Sequence, residues 1–118
     1  MNPLVPLEII LLTALNLLIV YVAAFVYHLG WYGVTWTIVA SSLITATLTH
    51  IIIAKQAEMT HTVESDTTVK LTTFLSSLLS SIAVFIMLLY RFDLRWAIGL
   101  SLLIGLESYF WRRALSIS

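Results

Sequence analysis

The chain of 118 residues contains no cysteine. Disulfides, thiol redox chemistry, CxxC haem attachment and thiolate-held clusters are therefore excluded, and the compartment is left open. Charge is equally scarce. Six Lys/Arg and six Asp/Glu make up 10% of the residues and cancel to zero, so nothing favours a nucleic-acid partner. Enzyme signatures are missing as well: there is no GxSxG, HExxH, phosphate loop or Asp-x-Asp pair, and no Ser-His-Asp set that a helix would bring together. A noncatalytic protein is expected, with no catalytic residue, no bound cofactor and no metal.

What the chain has instead is apolar bulk. Hydrophobic residues make up 60% of it and the mean hydropathy is +1.01. A soluble domain carries about 25% charged residues to cover its surface, which this composition cannot supply. An integral membrane protein follows, with lipid as its main solvent. The N-terminal "MNPLVPLEIILL" lacks a basic leader and runs on apolar for too long to be a signal peptide, so it is expected to remain in the mature protein.

A spanning helix needs roughly 20 mostly apolar residues. Four stretches qualify, at about 6–29, 33–54, 69–90 and 94–111, with a loop at about 55–68. They predict one all-α transmembrane domain over 1–118. Continuous apolar runs argue against strands, and an open sheet cannot persist in lipid. Pro6 suits a first helical turn, Gly30 and Gly33 bracket the first connection, and Asp66 and Asp93 are placed to cap the helices that follow them. Lys55, Lys70, Arg112 and Arg113 fall on one side and Arg91 and Arg95 on the other, which predicts both termini in the cytoplasm. Tyr and Trp residues gather near span ends, where amphipathic rings prefer to sit.

A shift of sixty residues lays the second hairpin over the first. Thr13 meets Thr73, Trp36 meets Trp96, Ser41 meets Ser101 and Ile44 meets Ile104. The four spans therefore read as two repeated helical hairpins, a pattern found in transporters. The ending "SYFWRRALSI" and the run "LRWAIGLSLLIG" before it resemble the GtrA-like family of small four-helix membrane proteins, whose hairpins end on an aromatic residue and a basic pair. In the first hairpin, "THIIIAKQAEM" has His50 and Lys55 where that family would have Asn-Phe and an Arg pair. The resemblance implies transfer of polyprenyl-phosphate-linked sugars, or help to a glycosyltransferase that uses them. A weaker likeness, in the spacing of the last two spans, is to the small helical subunit of haem-copper quinol oxidases. It implies the alternative role of a noncatalytic accessory subunit in a larger membrane complex, such as a respiratory oxidase. Membrane lipids, and either a protein partner or further copies of the chain, are the expected partners.

Polar residues within the spans are the candidate functional residues, because each is costly in lipid and should face protein. Glu107 lies five residues, about 7.5 Å of helix, before Arg112. Its neighbour at i+4 is Trp111, which disfavours a direct pair with Arg112 in the same helix. Glu8 opens the first span and shares a helical face with Asn16. Glu8, His50 and Glu107 should lie at similar depth near the cytoplasmic end, and with Asn16 they form the expected intramembrane polar site. The carboxylates would be balanced by His50 or by a guanidinium from Arg112 or Arg113 of a neighbouring chain. Lys55, Arg112 and Arg113 are candidate contacts for anionic headgroups. Thr37, Ser41, Ser42, Thr45 and Thr49 form a hydroxyl stripe on the second span, and Thr73, Ser76, Ser77, Ser80 and Ser81 another on the third. With glycine scarce, these small residues are expected to let helices approach. His28, His50 and His61 are too dispersed to share a metal. His61, with Glu58, Glu64 and Asp66, reads as a solvated loop group without zinc spacing.

Overall fold

The computed structural model describes residues 4–61 and 66–117, with the backbone alone at positions 66 and 117. Among the described residues there are four α-helices and no strand: α1 (Leu4–Tyr21), α2 (Trp31–Thr60), α3 (Asp66–Leu88) and α4 (Leu94–Ile117). A π-helical turn, Val22–Val26, extends α1. The helices outrun several of the expected spans. α2 continues through Lys55 and Glu58 to Thr60, and α4 continues past the two arginines to Ile117. Good helix formers such as Lys, Gln, Glu, Arg and Ala fill these extensions, so helix continues where apolar character stops. Much of the expected 55–68 loop is therefore helix. The cap assigned to Asp66 and the proposed roles of Glu64 and Asp66 lie outside the described side chains.

Three helical segments, Leu4–Val26, Trp31–Thr60 and Thr67–Leu88, are long and apolar enough to cross a membrane. This is consistent with an integral membrane protein, and the burial pattern agrees. Ile10, Leu18, Leu102, Leu106 and Phe110 are each more than half exposed, whereas Glu8, Asn16, Thr45, Thr49, Ser80 and Ser108 are buried. A fold that turns leucine outward and glutamate inward suits an apolar surrounding.

α1 packs against α2 and α3, and α4 packs against the same two, so α1 and α4 face each other diagonally. The chain runs up and down, with the α1–α2 and α3–α4 connections at one end. There, Val20, Ala24, Val34, Ile38, Val84, Leu88, Ala97, Leu100 and Ile104 form an apolar core. Gly30 caps α2 in an extended conformation. Gly33 is a close approach: a Cβ there would sit 3.0 Å from that of Leu29.

The first connection is tied down from the second. The Nη1 of Arg91 donates to the carbonyl of Ala24 at 2.7 Å and to that of Leu29, and its Nη2 donates to the carbonyl of His28 at 2.8 Å. His28 adopts a left-handed backbone, φ 51°, where the chain leaves the helix, so carbonyls at the helix end and in the connection need partners outside the helical ladder. The guanidinium supplies donors for them, and it also lies 5.0 Å from the Phe92 ring centroid.

The sixty-residue register fares unevenly. Ser41 and Ser101 both bond the carbonyl three residues back, at Ile38 and Ile98. Ile38 is buried and Ile98 exposed, however, while Ile44 is exposed and Ile104 buried. Trp96 stacks on Trp31, with ring centroids 4.6 Å apart. Trp31 is five residues, about 7.5 Å of helix, from Trp36, so the stack joins Trp96 to Trp31 and not to its matched residue.

Candidate functional site

At the opposite end of the bundle, each helix contributes one polar side chain to a single cluster. Glu8 comes from α1, His50 from α2, Thr73 from α3 and Arg112 from α4. Arg112 donates to Oε1 of Glu8 from Nε at 2.7 Å and from Nη2 at 2.5 Å, and both side chains are 2% exposed. Thr73 Oγ1 donates to the other carboxylate oxygen at 3.2 Å. The Nη1 of Arg112 lies 3.3 Å from Nδ1 of His50. A guanidinium can only donate, so Nδ1 accepts and the ring proton is assigned to Nε2.

The helix faces explain the convergence. On α1, Leu4, Glu8, Leu12, Asn16 and Val20 repeat at every fourth position and are buried. On α4 the buried stripe runs Ala97, Ser101, Ile104, Ser108, Arg112, placing the arginine opposite the glutamate. Two turns inward from Glu8, Nδ2 of Asn16 donates to Ser108 Oγ at 2.9 Å. The same diagonal is thus crossed twice, once by an ion pair and once by a neutral hydrogen bond. A buried ion pair must offset a large desolvation cost, which close geometry and an added hydroxyl donor help to do.

Glu8 and Asn16 are buried on one face of α1, and His50 is partly buried beside Arg112. Glu107 does not join them in any described contact. It is half-buried, and its Oε2 accepts from Nε1 of Trp111, its own i+4 neighbour, at 3.1 Å. One helical step of about 100° separates it from the buried Ser108, so it lies beside the inward stripe. The expectation for Arg112 also changes: it is buried against Glu8 of its own chain, so a neighbouring chain is not needed to balance that carboxylate. Lys55 is exposed, and Arg113 is partly buried. Thr73, expected only as a packing hydroxyl, is a ligand of the carboxylate. In the sequence, Arg112 continues the helical spacing of Ser101, Ile104 and Ser108 along α4, and Thr73 lies on the hydroxyl stripe of α3.

Beside the cluster is a cleft of about 220 Å³ lined by His50, Ile53, Ala54, Ala57, Val69, Arg112 and Ser116. It opens onto the partly buried His50, with the buried Arg112 in its wall, at the end of the bundle that carries Lys55 and Arg113. Chemically, this set can hold a proton-accepting ring beside a fixed cation, and offer N–H and O–H donors to an anionic group. Comparison of the chain with protein-family models, with curated proteins and with solved structures finds no match.

Proposed function

We propose that the chain is a four-span, multi-pass membrane protein with both termini in the cytoplasm, and that it binds lipid-linked phosphates as a noncatalytic carrier or helper. By the GtrA-like resemblance, the ligand is a polyprenyl-phosphate-linked sugar, and the protein works beside a glycosyltransferase or as a homo-oligomer. The observation that carries this reading is the cleft joining His50, Arg112 and Ser116 at the basic end of the bundle. As the fourth span, α4 has supporting features: it is 24 residues long and turns Leu102, Leu106 and Phe110 outward. Lys55, Lys70, Arg112 and Arg113 lie at the cleft end of their helices, against Arg91 and Arg95 at the other, which favours the cleft end as cytoplasmic.

The test is native mass spectrometry of the protein in nanodiscs with polyprenyl phosphate and with the uncharged polyprenol. Selective retention of the phosphate, reduced by His50→Ala with Lys55→Ala, is expected. Equal retention of the two lipids would defeat the reading.

A second reading, an accessory subunit of a larger membrane complex, is favoured by one observation. Glu8 already neutralises Arg112, so the cluster can act as a clamp between helices without any ligand. Purification in mild detergent from its native membrane distinguishes the two: a stoichiometric multi-subunit partner supports the second reading.

A further inference from the structure

We infer that the Arg112 half of the bundle interior is a one-sided water site, fed through the His50–Arg112–Ser116 cleft and closed by the apolar core at the other end. Four buried side-chain oxygens lack a hydrogen-bond partner among the described residues; one, Ser77 Oγ, borders a separate cleft with Ser81 and Gly105, and the other three carry the inference. Asn16 Oδ1, Thr45 Oγ1 and Thr49 Oγ1 have no hydrogen-bond partner within the bundle, and each residue is 0% exposed. Hydroxyls on a helix ordinarily return to a carbonyl one turn back, as Ser42 does at 2.6 Å and Ser76 at 2.8 Å. Thr45 and Thr49 do not, and an unpaired polar atom in an apolar interior is costly.

The three groups lie along the helices between the Glu8–Arg112 cluster and the apolar core. Thr49 adjoins His50 in sequence, and Thr45 is one turn deeper, about 6 Å. Asn16 is about 12 Å along α1 from Glu8, and is bonded to Ser108, one turn from Arg112. The ligand must therefore be small and must both donate and accept. The Asn16 oxygen needs a donor, while the guanidinium N–H groups beyond those given to Glu8 and His50 need acceptors. Water meets both demands, and buried waters typically make about three hydrogen bonds to such groups. A metal cation would satisfy the oxygens but would oppose the Arg112 charge.

The closed end follows from the core. Val20, Ala24, Val34, Ile38, Val84, Leu88, Ala97, Leu100 and Ile104 are all at most 3% exposed, and they offer water no partner. The water site does not depend on which lipid, if any, the cleft takes.

The full chain in lipid bilayers, studied by water-edited solid-state NMR, tests this. Magnetisation from water should reach Thr45, Thr49 and Asn16 several-fold faster than Val34, Ile38 and Ile104. Equal build-up at the two sets overturns the inference. Thr49→Val gives a second reading of opposite sign for the two cases. If the hydroxyl holds water, the substitution lowers Tm and slows transfer to Asn16. If the hydroxyl is dry, replacing it with a methyl raises Tm, which also overturns the inference.

Discussion

Glu8 and Arg112 lie 104 positions apart and meet inside the bundle, with Nε and Nη2 of the arginine on one carboxylate oxygen. Their helices are diagonal to each other, so the pair crosses the centre and fixes the relative height of α1 and α4. Removing one partner leaves the other charge buried alone. Arg112→Met is expected to destabilise the folded protein by about 3–5 kcal/mol, while Glu8→Gln with Arg112→Met costs much less than the sum of the two single changes. Denaturation in detergent, arranged as a double-mutant cycle, measures this coupling. Strict additivity would refute it.

Glu107→Gln should behave differently. Glu107 is half-buried and held only by its neighbour Trp111 in the described contacts, and a glutamine oxygen still accepts from the indole. Stability should change by no more than about 0.5 kcal/mol. A loss comparable to that of Arg112→Met would mean that Glu107 belongs to the buried cluster.

The Asn16–Ser108 bond offers a smaller and cleaner measurement. Ser108→Ala removes the acceptor of Asn16 Nδ2. Interhelical hydrogen bonds in membranes are worth about 0.6 kcal/mol on average and up to about 1.7, and a loss in that range is expected in the same denaturation assay. No loss would mean that the amide finds another partner when Ser108 is gone.

Topology can be checked directly because the chain has no cysteine of its own. Single cysteines at Glu58 and Ser116 should react with a membrane-impermeant thiol reagent from one side, and those at Tyr32 and Tyr90 from the other. Labelling of Glu58 and Tyr32 from the same side would remove the four-span arrangement.

The sequence reveals this protein unevenly. The all-helical architecture was legible, because 20-residue apolar runs leave few alternatives in lipid. So was the inward face of α2: Ser41, Thr45 and Thr49 are small polar residues at helical spacing, and all three are buried. The hidden parts depend on rotation and relative height, which periodicity alone fixes poorly. Glu107 and Arg112 differ by five positions and so by rather more than a quarter of the helix circumference, enough to put one inward and the other beside the seam. The pairing of Glu8 with Arg112 depended on knowing that α1 and α4 are diagonal across a narrow core. The ends of α2 and α4 were missed for another reason: Lys, Gln, Glu and Arg are good helix formers, so the end of an apolar run is not the end of a helix.

Removing the Arg91 strap is expected to show locally. Arg91→Ala strips the donors from the carbonyls of Ala24, His28 and Leu29. Hydrogen–deuterium exchange at residues 27–30 should accelerate, with a global cost of about 1–3 kcal/mol for the lost charge-assisted bonds. Unchanged exchange there would show that the connection holds its shape without the strap.

The two ends of the bundle therefore place different demands on drift in sequence. The Glu8–Arg112 tie needs two particular side chains, so changes at either position should be tolerated only alongside a compensating change at the other. Arg91 acts on main-chain carbonyls, which every residue supplies. Position 29 can then vary in side chain without loosening the strap, while position 91 cannot; Ala24 is held by core packing and His28 by its left-handed backbone, constraints separate from the strap. In a saturation-mutagenesis map, position 91 would stand out as an intolerant site with no co-varying partner, and positions 8 and 112 as a coupled pair.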